Sequence, residues 1–230
     1  MWGSFRKFRF AFEGEGYWRT SLKAVLFDID GTILDTLDFV FTAVQYTLDK
    51  HRLIITEEKL TQAKGKHLIE FYKSIFPNED FELLAETHHD FQQDKFDLGK
   101  LFPGAQKVLK KLKSEGVLIA AVSNRSKISL VKSFKLLEID DFFDVIVTFE
   151  DVENPKPHKD HPNKALELLG VEKEFAIMVG DTENDILAGK AAGIKTVGVT
   201  YGWIGKDIKK ANPDFVIDNI EELLKVLKLD

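Results

Sequence analysis

Five short apolar runs, at residues 22–28, 117–122, 145–149, 175–179 and 195–199, constrain this chain more than any other feature. Each is rich in Val, Ile, Leu, Ala or Phe and has almost no polar alternation. A strand with one wet face alternates; a strand covered on both faces does not need to. The runs therefore predict a parallel sheet sandwiched between helices. Helical stretches at 104–115, 126–138, 163–169 and 184–192 separate them, with Pro103 suited to a helix start and Gly116, Gly170 and Gly193 to helix ends. Strand–helix alternation at this spacing implies an α/β fold with a doubly wound parallel sheet.

Between the first and second runs, residues 36–101 contain no strand-like run but carry amphipathic segments near 37–51, 57–64, 67–76 and 80–97. A connection of this length inside a compact domain needs structure of its own. It is expected to be an inserted helical domain, with residues 22–35 and 102–230 forming the sheet domain. Phe71, Tyr72, Phe76 and Phe81 are expected in the core of the insert, and His51, His88 and His89 at its surface. Residues 1–21 read differently. Phe8, Phe10 and Phe12 alternate ahead of a Glu-Gly-Glu-Gly turn, which suits either a hairpin or a partly disordered extension.

The 230 residues carry a net charge of −6, which gives no broad electrostatic grip on DNA, RNA or an anionic membrane. No Cys is present, so disulfides, thiolate metal sites and a Cys nucleophile are excluded. With no membrane-length apolar window and no signal-like leader, the expectation is a soluble cytoplasmic protein. The charged content of 30% with two Met hints at heat adaptation.

The chemistry gathers at the ends of the runs. Asp28 and Asp30, in Asp28-Ile29-Asp30-Gly31-Thr32, are two apart where a strand breaks into a Gly turn, so both side chains share a face. Two anions side by side need a cation or a shared proton. Ser123-Asn124, Lys156 in Asn154-Pro155-Lys156-Pro157, and Asp181 and Asp185 in Gly180-Asp181-Thr182-Glu183-Asn184-Asp185 follow three of the other runs. In such sheets ligands bind outside the carboxyl ends of the strands. Carboxylates, a hydroxyl, an amide and one ammonium together suit phosphoryl transfer: a carboxylate nucleophile, a second acid, and Mg²⁺ held by oxygen ligands. Ser123-Asn124 also suits a helix N-cap, which itself favours an anion.

These motifs, together with Asp35 and the run Asp185-Ile186-Leu187-Ala188-Gly189-Lys190-Ala191-Ala192-Gly193, resemble the haloacid dehalogenase-like hydrolase superfamily, in its phosphoglycolate phosphatase-like branch. The resemblance runs from about Leu22 to the C-terminus and leaves residues 1–21 unexplained. It implies a Rossmann-like core with a mobile helical cap. It implies Asp28 as nucleophile and metal ligand, and Asp30 as acid/base with its carbonyl on the metal. Asp181 would complete the Mg²⁺ site, and Asp185 would support it or Lys156. Ser123 and Asn124 would bind phosphate, and Lys156 would orient Asp28, contact phosphate and balance charge. Lys66 and His67, at a cap turn beside Lys64, are candidates for an anionic substrate tail; a solvated basic turn explains them as well.

The leading expectation is a Mg²⁺-dependent phosphatase acting on a small phosphate monoester, phosphoglycolate-like or a sugar phosphate, with a small phosphorylated metabolite as its partner. A monomer and a homodimer are equally compatible. Alternatives are a pyrophosphatase or nucleotidase of the same fold, a β-phosphoglucomutase-like mutase, and a regulatory module that kept the fold. Such mutases carry a His five residues after the position of Asp35, where this chain has Val40. Dehalogenases and phosphonate hydrolases would lack an acid matching Asp30.

Overall fold

The computed structural model describes residues 22–56, 58–60, 68–95 and 99–229. The two readings of residues 1–21 therefore lie outside the described residues. In chain order the elements are β1 (Ala24–Phe27), β2 (Leu34–Asp35), α1 (Leu37–His51), α2 (Leu68–Ile75), α3 (Phe81–Asp94), β3 (Lys100–Leu101), α4 (Ala105–Ser114), β4 (Leu118–Ser123) and α5 (Lys127–Leu136). They continue with β5 (Val145–Thr148), α6 (Asp160–Leu169), β6 (Ala176–Gly180), α7 (Glu183–Ala192), β7 (Lys195–Val199), β8 (Phe215–Ile217) and α8 (Glu222–Val226).

Six strands form one parallel sheet in the order β5-β4-β1-β6-β7-β8. The chain builds outward from β1 through β4 to β5, then returns to β1's other side with β6. That reversal opens a crevice at the carboxyl end of β1. The absence of alternation in the apolar runs has a direct cause. Val25, Phe27, Ile119, Ala121, Ile177 and Val179 pack on one face of the sheet, with α4, α5 and α8. Their neighbours Ala24, Leu26, Ala120, Val122, Ala176 and Met178 pack on the other, with α6. Both faces are core.

All five predicted strands are present: 195–199 keeps its bounds, 22–28 and 145–149 are shorter, and 117–122 and 175–179 are shifted one residue towards the C-terminus. Three short strands were not predicted. β8 is an edge strand of three residues whose first two are exposed, so it leaves no apolar run. β2 and β3 form a two-residue antiparallel pair, Leu34 with Leu101 and Asp35 with Lys100, at the two ends of the inserted helices. Asp35 meets Lys100 there at 3.4 Å. Helix α6 begins at Asp160, three residues before the predicted start, because Pro162 falls in its first turn, where a missing N–H costs nothing.

Between β2 and β3, helices α1, α2 and α3 share a separate apolar cluster of Val44, Leu48, Phe71, Tyr72, Ile75, Leu84 and Ala85, with Phe76 and Phe81 packed against it. Of the predicted helix at 57–64, residues 58–60 are helical and 57 and 61–64 lie outside the described residues. No helix among the described residues is long and apolar enough to cross a membrane.

One histidine departs from expectation. His88, expected at the surface, is 1% exposed. It follows Leu84 at helical spacing and so completes the buried stripe of α3, where its Nδ1 meets the Tyr72 hydroxyl at 3.0 Å. His51 and His89 are half-buried rather than exposed, and His51 Nε2 bonds Thr87 Oγ1 at 2.9 Å. Burial, with a smaller push from His89, lowers the His88 pKa to about 3. Between that value and the unfolded value of 6.5, the folded state binds fewer protons than the unfolded one. The stability from neutral His88 is thus complete above the unfolded pKa and is lost as pH falls towards 3. Urea unfolding at about pH 7 and about pH 5 should show wild type losing roughly 2 kcal/mol more than His88→Gln over that interval. Equal losses in the two proteins would show that His88 is protonated without cost.

Candidate active site

Asp28 follows β1 directly, and its backbone N–H donates to Val179 O of β6 at 2.8 Å. The chain then turns sharply, with Thr32, Ile33 and Leu34 all donating to the Ile29 carbonyl. Gly31 makes the turn at φ +90°, and a Cβ there would lie 2.3 Å from Asp181 Oδ2. Only glycine satisfies both the left-handed backbone and the close approach. Ser123 ends β4, Asp181 follows β6 directly, and Asp185 occupies the third position of α7.

The side chains converge on Lys156. Its Nζ donates to Asp28 Oδ1 at 2.5 Å, Asp185 Oδ1 at 2.7 Å and the Val122 carbonyl at 2.7 Å. An ammonium has three protons, and all three are committed. The Lys156 side chain is 2% exposed. Its loop is anchored by Asn124, whose Nδ2 donates to the Lys156 carbonyl at 3.2 Å, and by buried His161, whose Nδ1 accepts the Lys156 N–H at 3.2 Å. Burial, then the Lys156 charge, pushes the His161 pKa down to about 4, which keeps that nitrogen an acceptor.

Asp28, Asp181 and Asp185 are all buried, and ligand oxygens of the three lie within 4.8 Å of one another. Burial, then the Asp185 charge, raises the Asp28 pKa to about 7 against the pull of Lys156. Burial and the Asp28 charge raise Asp181 strongly. Three carboxylates face one ammonium, so the site lacks positive charge. Asp185 is largely committed: Oδ1 accepts from Lys156, and Oδ2 accepts from Thr182 N and Oγ1 in a capping box. Asp181 Oδ2 accepts the Trp203 N–H at 2.6 Å. Among the described residues, the remaining oxygens, Asp28 Oδ2 and Asp181 Oδ1, share only the Thr32 hydroxyl, at 3.5 and 3.4 Å. Under-satisfied carboxylate oxygens facing each other in a buried site suit a hard divalent cation.

Ser123 is 1% exposed, and its Oγ accepts the Arg125 N–H at 3.1 Å. Asp28, Asp30, Ser123, Asn124 and Lys156 all border one cavity of about 510 Å³, which α1, α2 and α3 wall on the other side. Lys66 and His67 lie outside the described residues. Two residues were missed by sequence reasoning. Trp203 carries no motif signal. Arg125 was legible in principle: Ser129 and Ser133 follow it at helical spacing, and its guanidinium meets both serines and Asp30.

If the Asp181 oxygen is there for a cation, Asp181→Asn should leave the metal-free protein as stable as wild type or more so, since a buried repulsion is relieved. It should also abolish any rise in melting temperature on adding Mg²⁺. An unchanged Mg²⁺-induced shift in the variant would place the cation elsewhere.

Residues 25–199 match the family described as haloacid dehalogenase-like hydrolase. A PpaX protein of Caldanaerobacter subterraneus subsp. tengcongensis is 36% identical over 210 residues, covering 90% of this chain and 95% of that one. Pyrophosphatase PpaX of Halalkalibacterium halodurans is 34% identical, covering 90% and 97%. Among solved structures, a haloacid dehalogenase-like hydrolase of Streptococcus pneumoniae superposes with a TM-score of 0.79 at 25% identity, covering 90% and 98%.

Proposed function

Because this chain belongs to the haloacid dehalogenase-like hydrolase family, we propose that it is a Mg²⁺-dependent phosphatase that forms and hydrolyses an aspartyl-phosphate at Asp28. The observation that carries the reading is the Lys156 ammonium, which holds Asp28 and Asp185 beside Asp181 at the crevice where the strand order reverses. Asp28 and Asp181, with the Asp30 carbonyl, would hold the cation, and Asp185 would keep Lys156 in place. The cation would supply charge neutralisation between the nucleophile and the phosphoryl oxygens.

In the first half-reaction a carboxylate oxygen of Asp28 bonds to phosphorus as the bond to the leaving oxygen breaks, and Asp30 gives that oxygen a proton. In the second, water bonds to phosphorus, the bond to Asp28 breaks, and Asp30 takes the proton. Ser123 and the backbone N–H groups at the start of α5 offer donors to the phosphoryl oxygens. Asn124 acts mainly through the Lys156 loop. Residues 36–101 form the cap, and the cavity between cap and core takes a small phosphorylated metabolite.

A mutase has less support: Val40 borders the cavity, so no proton-carrying group stands at that position of α1. Inorganic pyrophosphate is a second reading within the same chemistry. It is favoured by relatives named pyrophosphatase that match 90% of this chain.

The test is phosphate release from pyrophosphate, 2-phosphoglycolate, sugar phosphates and p-nitrophenyl phosphate, with Mg²⁺ or with chelator. Wild type should release phosphate with Mg²⁺ only, and Asp28→Asn should lose about 10³-fold or more while folding normally. Activity retained in the variant would remove Asp28 from the nucleophile's role. The best compound in the panel decides between pyrophosphate and an organic ester.

A further inference from the structure

Arg125 is buried at the site, and the reaction above gives it no task. Its side chain is 7% exposed, and every nitrogen of the guanidinium is used. Nε donates to Ser129 Oγ at 2.9 Å, and Nη2 to Ser133 Oγ at 2.8 Å and to the Ser129 carbonyl at 3.4 Å. Nη1 donates to Asp30 Oδ1 at 3.3 Å. The ring of Phe39, from α1, lies 5.1 Å from the guanidinium carbon. Ser129 and Ser133 are themselves buried, and Ser133 Oγ donates back to the Ser129 carbonyl at 3.1 Å.

A buried guanidinium is costly unless its protons are met. Burial pulls its pKa down, and Asp30 pulls it back. Two serines, a helix carbonyl and an aromatic face meet that cost, and they leave the guanidinium little freedom to turn. What such a rigid group does for the site is hold one oxygen of Asp30. That carboxyl borders the cavity and is 19% exposed, and a carboxyl held at one oxygen has its rotation restrained.

We propose that Arg125 is a positioning residue for Asp30. It anchors Oδ1 so that Oδ2 is presented to the leaving-group oxygen and then to the attacking water. The proposal rests on the reading of Asp30 as the acid and base of the reaction. In the first step the proton leaves Oδ2 for the oxygen departing from phosphorus. In the second it returns to Oδ2 from the water that bonds to phosphorus.

The test is a double-mutant cycle of wild type, Arg125→Met, Asp30→Asn and the double variant, assayed with Mg²⁺ on an alkyl phosphate and on p-nitrophenyl phosphate. Arg125→Met should lower kcat on the alkyl ester roughly 10- to 100-fold with KM nearly unchanged. Release of p-nitrophenolate in the first turnover should fall much less, because that group departs without a proton. In the Asp30→Asn background, Arg125→Met should cost nothing further. The full loss persisting in that background would overturn the proposal. So would a rise in KM with kcat unchanged, which would make Arg125 a substrate contact instead. If Arg125→Met does not fold, Ser133→Ala removes one anchor; it should give the same leaving-group pattern at about two- to fivefold, and a uniform loss on both esters overturns the proposal. A wild type inactive on every compound sinks the phosphatase reading itself, whereas an active wild type with additive losses sinks only the role of Arg125.

Discussion

The three protons of Lys156 organise the site. One goes to Asp28, one to Asp185 and one to the Val122 carbonyl at the end of β4. Those partners come from the ends of β1 and β4 and from the first turn of α7, which follows β6, so one ammonium ties together the segments that face the crevice. With no proton to spare, Lys156 can serve the chemistry chiefly by fixing Asp28 and balancing its charge. Removing it would leave buried carboxylates uncompensated, a change that typically costs about 3–5 kcal/mol.

The anions can be this close only because the backbone around them is bare. A Cβ at Gly31 or Gly202 would lie 2.3 or 2.2 Å from atoms of Asp181, and one at Gly180 would lie 2.2 Å from Asp185 Cβ. Loops after β1 and β7 therefore close around Asp181, with the Trp203 N–H on one oxygen and the Thr32 hydroxyl near the other. Asp185 links this arrangement to secondary structure. The oxygen that does not meet Lys156 caps α7, so the start of that helix and the placement of the ammonium depend on one carboxylate. Catalytic geometry and helix stability cannot be varied separately at this position.

Legibility in the sequence followed the locality of the signal. Asp28, Asp30, Ser123, Lys156, Asp181 and Asp185 could be found because each follows an apolar run whose buried strand is obvious from composition. β8 could not, because a three-residue edge strand with two exposed positions has no period to detect. His88 was misplaced because side-chain type was weighed above position; Leu84 four residues earlier already marked its face as buried, and Tyr72 supplies the partner that makes burial tolerable. Arg125 was overlooked for a different reason. Its role depends on Asp30, ninety-five positions away, and only its local anchors, Ser129 and Ser133 of the helix that begins two residues later, lie near it in sequence.

The two sides of the cavity divide the work. The core side carries fixed charge: Asp28, Asp30 and Lys156, all on strand-end loops held by backbone hydrogen bonds. The wall from α1 and α2 includes Val40, Val44 and Phe71, and His88 of α3 stays neutral because burial lowers its pKa to about 3. Those apolar side chains lower the local dielectric where they face the site, which strengthens the interactions of Lys156 with its carboxylates, while Glu82, Glu86 and Asp90 of α3 border the same cavity with acidic groups. On the phosphatase reading, the cavity would also limit the water that reaches a phosphorylated Asp28, so hydrolysis would depend on a water within reach of Asp30. On that reading the apolar side chains of α1 and α2 would contribute to the chemistry without carrying a proton in it.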